Sequence, residues 1–140
     1  MDQPQLDELD QAMGAFVRGD ASAVAGLWLP AEDVTIFGAF GGYERGWESV
    51  RPRLVWAASQ FRNGTWSCEQ VSAHFGADVG YTVGIEHVHA SIGGIVGRQD
   101  LRVTHLFRRV DGMWQMVHRH ADPLTGKADP SRSSEARHSN

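Results

Sequence analysis

The sequence predicts an α+β fold: three helices in the N-terminal half packed on a strongly curved, mostly antiparallel β-sheet, the whole cone-shaped. Three observations carry this. Apolar residues recur at helical spacing in segments that end near Phe61. From Thr65 onward the pattern changes to long runs of alternating parity. Turn signals at Gly76-Ala77-Asp78, Gly93-Gly94 and Asp111-Gly112 divide those runs. Asp-Gly is the strongest of these, because a two-residue type I′ turn needs positive φ at both positions. Helices placed ahead of an antiparallel sheet make a layered α+β fold. A curved sheet wrapped on them encloses a cavity, with its inner-face polar residues as walls.

Each element follows in order. Residues 5–17 carry Leu6, Leu9, Met13 and Phe16 at intervals of three and four, with Asp7, Glu8 and Asp10 facing away. The acids suit the positive N-terminal end of the helix dipole. Gly19 ends this helix, and Asp20 caps a short second one that buries Ala23, Val24, Leu27 and Trp28 and stops at Pro30. Arg18-Gly19-Asp20 is read as the turn between them, not as an adhesion tripeptide. Residues 33–37 form a short strand with Val34 and Ile36 facing one way, and 43–45 pair back on it. Gly38-Ala-Phe-Gly-Gly is a turn; it lacks the Lys-Ser/Thr ending of a phosphate loop. A third helix starts at Gly46 or Ser49, with Pro52 in its first turn if Ser49 is the cap. It buries Leu54, Ala57, Ala58 and Phe61 and closes at Asn63-Gly64. A strand over 65–75 changes parity near Glu69 or Gln70, which predicts a bulge. Three more follow at 79–92, 98–110 and 113–122. Residues 1–122 are one domain. Residues 123–140 lack large apolar side chains and are expected to be a disordered tail, within which His138 has no assignable role.

Composition narrows the function. With 140 residues the chain holds a single core. The net charge is −4 and the 13 basic residues are scattered, so no nucleic-acid partner is expected. No apolar run reaches the ~18 residues of a membrane span. The N-terminus lacks the pattern of a signal peptide, and Cys68 is alone. These favour a cytoplasmic protein without disulfides.

The chemistry-bearing residues concentrate in the last three strands, which hold five of the seven histidines. Alternation puts His118, His120 and Asp122 on one face, a candidate acid–base group with His120 foremost. Arg102 and Thr104 share a face, and the Arg fork suits a carboxylate or an enolate-like oxygen. Glu86 and His87 point to opposite faces; Glu86 is the one taken as cavity-facing and as a general-base candidate. The His87-x-His89 and His118-x-His120 pairs raise a metal site, but no Glu follows at the spacing a cupin-type site needs, and none is assigned. Trp28, Trp47, Trp56, Tyr43, Phe37 and Phe40 are mostly core, with Trp47 or Trp56 the ones expected to touch a ligand.

The pattern Arg-Val-Thr-x-x-Phe-Arg-Arg-x-Asp-Gly-x-Trp-x-x-Val-His-x-His over 102–120, with the hairpin at Gly93-Gly94-Ile95 and the order of elements over 5–122, resembles the nuclear transport factor 2-like superfamily. Within it the chain is similar to SnoaL-like domains and to the association domain of calcium/calmodulin-dependent protein kinase II. The resemblance implies two alternatives. One is a cofactor-free isomerase, cyclase or dehydratase acting on an apolar, carbonyl-bearing small molecule. There His120, Glu86 and Asp122 would be catalytic, with Arg102, Thr104, His105, His118, Trp47, Trp56 and Tyr43 around the substrate. The other is a non-catalytic binding or oligomerisation module. The paired Asp base and Tyr/Asp oxyanion site of ketosteroid isomerases has no match here. His105 stands where the association domain has a pocket arginine. The resemblance also implies a homodimer or larger homo-oligomer through the outer face of the sheet.

Overall fold

A computed structural model describes residues 6–132. The elements are α1 (Leu6–Phe16), α2 (Ser22–Gly26), β1 (Thr35–Phe37), β2 (Glu44–Arg45), α3 (Trp47–Ser59), β3 (Phe61–Phe75), β4 (Val79–Ile92), β5 (Ile95–Val110) and β6 (Met113–Pro123), then a 3₁₀ turn at Pro130–Arg132. The last eight residues of the expected tail, His138 among them, lie outside the described residues, as does residue 5 of the expected first helix.

One curved sheet holds all six strands in the order β2-β1-β6-β5-β4-β3. Its pairs are antiparallel except β1 with β6, which run parallel. Both two-residue turns have positive φ throughout: 59° and 90° at Gly93-Gly94, 51° and 78° at Asp111-Gly112. Those values match the type I′ geometry that their sequences demand. The three helices cover the inner face. Met13 and Phe16 of α1, Val24 of α2 and Leu54 and Ala58 of α3 pack with Trp28 against Val88, Ala90, Phe107 and Met116.

Some details differ from the sequence reading. Of the residues expected to be buried by the second helical segment, Val24 and Trp28 are buried, Leu27 is half-buried and Ala23 is exposed, with Ala21 buried in its place. The cap position falls on Ala21, not on Asp20 as expected; Asp20, one residue earlier, accepts the Ser22 N–H at 2.9 Å within the turn that leads into the helix. The third helix starts at Trp47, so Pro52 lies in its second turn. Asn63-Gly64 does not cap that helix. Phe61 already belongs to β3, and the dipeptide forms a bulge where the pairing with β4 slips between Arg62 and Thr65. The reason is contact with the first helical layer. The Gly64 N–H donates to the Val17 carbonyl at 3.1 Å, and any Cβ on Gly64 would sit 2.3 Å from that oxygen. A second slip between Gln70 and Ser72 is the expected change of parity in β3.

Candidate functional site

The register decides which polar residues meet. Across β5 and β6, His105 pairs with Arg119, Thr104 with His120 and Arg102 with Asp122. His105 and Arg119 therefore point inward, and the other four point outward. On β4 the inner face runs Thr82, Gly84, Glu86, Val88, Ala90. Glu86 is 1 % exposed and His105 4 %. This brings two of the expected site residues together, Glu86 and His105, and adds Arg119.

Arg119 forks onto the Glu86 carboxylate, with Nη1 to Oε2 at 2.8 Å and Nη2 to Oε1 at 2.9 Å. Burial pushes the Glu86 carboxyl up, but the Arg119 charge and its two hydrogen bonds outweigh it and hold Glu86 ionised. Nη1 of Arg119 also donates to His105 Nε2 at 2.9 Å. An arginine has only donors, so this nitrogen of His105 carries no proton. Burial first, and then the Arg119 charge, lower the His105 pKa to about 3, so the ring is neutral. Its proton is on Nδ1, which faces Thr82 Oγ1 at 3.4 Å. Thr82 Oγ1 receives that contact beside an open space.

That space is a cleft of about 240 Å³ between α1 and the inner face of β3, β4 and β5. Leu6, Leu9, Val103 and Trp66 give it apolar walls, and Asp10, Cys68, Gln70, Thr82, Glu86 and His105 give it polar ones. Gly84 keeps the floor open; a Cβ there would lie 2.9 Å from Cys68 Sγ and 2.9 Å from the Glu69 carbonyl. Trp66 Nε1 is buried with no hydrogen-bond partner, although the indole lies near enough to Glu86 to help keep it ionised. Burial, then the charges of Glu86 and Asp10, push the Cys68 thiol up to about 11, so it is not a ready nucleophile. On the other side of the Glu86–Arg119 pair is a smaller hollow of about 60 Å³, walled by Phe16, Phe40, Leu54 and Phe61.

The remaining expected site residues lie elsewhere, and the expectation that they surround one cavity is corrected. His118, His120, Asp122, Arg102 and Thr104 occupy the outer face of the sheet. There Asp122 is held by Arg102 at 2.8 and 3.0 Å, and His118 Nδ1 meets Thr35 Oγ1 at 2.7 Å. His118 and His120 both pack against the edge of Phe37. The physical reason is the pleat: one residue of register sends a side chain through the sheet. Trp47 stacks on Trp28. Trp56 sits under Arg53 at the surface. Tyr43 is 73 % exposed. None of these three lines the cleft. Among the described residues no group of three or more His, Cys, Asp or Glu side chains is arranged to hold a metal.

Sequence reasoning passed over Arg119, Asp10, Thr82 and Trp66. Arg119 stands between the two histidines that drew attention, and its parity alone, opposite to theirs, is the signal. Asp10 is exposed, as expected, but it follows Leu6 by four residues and so also borders the cleft.

Fold and motif agree with what is known of related chains. A family model for the SnoaL-like domain matches residues 7–124, and the chain belongs to that family. No curated protein matches it by sequence. Similar solved structures include a proposed dehydratase of the NTF2-like family from Streptomyces avermitilis. It is 20% identical, covers 87% of this chain and 95% of its own, and has a TM-score of 0.74. A proposed calcium/calmodulin-dependent protein kinase type II association domain from Thiobacillus denitrificans is 18% identical, with 87% and 96% covered and a TM-score of 0.73. A ketosteroid isomerase-like protein from Erwinia carotovora atroseptica is 14% identical, with 86% and 94% covered and a TM-score of 0.67. These likenesses establish the nuclear transport factor 2-like fold.

Proposed function

We propose that this SnoaL-like domain takes up a compact, mostly apolar molecule bearing an acceptor oxygen such as a carbonyl, and carries out cofactor-free acid–base chemistry on it. The observation that carries the reading is the cleft itself, in which the Thr82 hydroxyl and the Trp66 indole, whose N–H lies beside the Glu86 carboxylate, are set among apolar side chains. A ligand oxygen in the cleft would accept from the Thr82 hydroxyl, with the Trp66 indole in the same wall. The volume is below the roughly 300–1,000 Å³ of drug-sized pockets, which favours a compact occupant over a steroid-sized one. Isomerisation, cyclisation and dehydration all begin with a proton leaving carbon while charge grows on such an oxygen. Donors already fixed in the wall stabilise that charge without reorganisation.

The test is a titration with 1-indanone followed by amide and indole NMR signals. Binding in the cleft moves the Trp66 Nε1–H, Thr82 and Val103 resonances together. Shifts confined to the outer face, or none, refute the proposal.

A second reading, a binding module without turnover, is favoured by one observation: Arg119 engages both Glu86 and the basic nitrogen of His105. A second copy of the chain is also proposed as the partner of the outer face, where Phe37, Leu106 and Tyr81 are each more than a third exposed. The single cysteine supports a cytoplasmic setting.

A further inference from the structure

We propose that the outer face of the sheet carries a second site, independent of the cleft, in which Ser67, His87 and Asp100 act together to hydrolyse small esters. The register sets the three in line across neighbouring strands. Ser67 on β3 is opposite His87 on β4, and His87 is opposite Asp100 on β5. Alternation puts all three on the outer face, since Glu86 beside His87 points inward. The contact that carries the inference is His87 Nδ1 to Asp100 Oδ1, at 2.6 Å. A carboxylate only accepts, so Nδ1 carries the proton. The His87 hydrogen bond first, and then those from Arg98, hold the Asp100 carboxyl below the usual range. Arg98 fastens it from the other side, with Nε 3.1 Å from each oxygen. The ring is thereby turned with Nε2 toward β3, where Glu69 Oε1 lies 3.9 Å away. That is beyond a hydrogen bond, and among the described residues nothing else bonds to Nε2. One ring nitrogen held by a carboxylate and the other unmet, beside a hydroxyl, is the arrangement of a base serving a nucleophile. Directly opposed residues have Cβ atoms about 4.5–5.5 Å apart, which puts Ser67 within side-chain reach of Nε2.

A groove of about 410 Å³ lies over this point, lined by Thr65, Ser67, His87, His89 and Arg98 among others. It is open and shallow, which suits a short acyl group. It is six residues along β4 from Tyr81, about 20 Å, and so clear of the apolar patch proposed for a second copy. The reaction balances with water as the only co-reactant. Ser67 Oγ bonds to the ester carbonyl carbon while its proton passes to His87 Nε2. The carbonyl π pair moves onto oxygen, with the Arg98 guanidinium in the same groove wall. Asp100 and Glu69 flank the imidazolium that forms. Collapse breaks the bond to the leaving oxygen, which takes the proton from Nε2 and departs as the alcohol. Water then attacks the acylated Ser67, gives its proton through Nε2 back to Oγ, and releases the carboxylic acid.

The probe is p-nitrophenyl acetate, followed by nitrophenolate release and by mass spectrometry of the quenched protein. The wild type is expected to release a burst of nitrophenolate and to carry an acetyl group on the peptide that holds Ser67. Ser67→Ala should lose both, with an unchanged Tm because Ser67 is exposed. His87→Gln should slow acylation about a hundredfold, the usual worth of a general base. Asp100 is a positioning residue. Asp100→Asn should slow acylation with KM unchanged and alter the His87 ring nitrogen signals in a ¹⁵N–¹H spectrum, and Asp100→Glu should recover part of the rate.

An acetyl group found only on lysine or another residue overturns the assignment. So does a burst that Ser67→Ala leaves intact, or a wild type that hydrolyses the ester no faster than His87→Gln. Saturating 1-indanone should not slow the burst; if it does, the ester is cleaved in the cleft and the outer-face site falls.

Discussion

Replacing Arg119 by methionine should cost more stability than any surface change in this protein. The side chain is 12 % exposed and its partner Glu86 1 %. Methionine keeps much of the volume but leaves a carboxyl group in the core without its counter-charge, and leaves His105 Nε2 without its donor. Removing one partner of a buried pair costs about 3–5 kcal/mol. For a chain of this size that is a fall of roughly 10–20 °C in Tm. The pH dependence should also reverse. In the wild type the Glu86 pKa is held below its ordinary 4.5. The pair's contribution is therefore complete above that value and fades as pH falls through the lower, folded one. Without Arg119 burial becomes the largest influence, the folded value rises above the unfolded one, and the variant loses less than the wild type as the solution is acidified. Urea unfolding followed by tryptophan fluorescence at pH 7 and pH 4 measures both effects. The double variant Glu86→Met/Arg119→Met buries no orphan charge and should be more stable than Arg119→Met alone. An Arg119→Met protein within 1 kcal/mol of wild type, or a double variant as unstable as the two singles added, refutes the argument.

Other consequences are checked more simply. Gly64→Ala forces a methyl to 2.3 Å from the Val17 carbonyl and should cost about 1–3 kcal/mol or more, read as a lower urea midpoint. Arg102→Ala removes a pair whose side chains are 58% and 38% exposed. It should change stability by less than about 1 kcal/mol and leave indanone binding in the cleft unaltered. The Cys68 thiol, pushed up from 9.0 to about 11, should react with iodoacetamide near pH 8 about a hundredfold more slowly than an ordinary thiol, since the thiolate is the nucleophile. The rate should climb only as pH approaches 11. Phe37→Ser should weaken self-association by sedimentation velocity if a second copy covers the outer face.

The fold was legible because its signals are local. Two glycine turns, three apolar stripes and one change of parity place nearly every element within a few residues. The site was less so. Alternation says that Glu86 and His87 oppose each other and that His118 and His120 agree, but not which set is inside. That depends on how β5 and β6 align, and the pairing slips between Leu106 and Phe107 through an extra residue in β6. Such a slip has no sequence signature here. Once His105 is opposite Arg119, the inward position of Arg119 and the outward positions of His118 and His120 follow together.

The two irregularities in β3 have a consequence beyond geometry. This strand is the open border of the sheet, fifteen residues long, and most of its side chains from Thr65 to His74 are exposed. A straight border of that length offers a row of unmet amide and carbonyl groups on which another chain can add, the first step toward fibrous assembly. The interruptions at Arg62/Thr65 and Gln70/Ser72 divide it into short lengths twisted out of line with each other, so no incoming strand finds a long flat template. A protein trimmed of one inserted residue at Gln70–Ser72 would present a longer uninterrupted run, and its solubility on storage should suffer before its folding does.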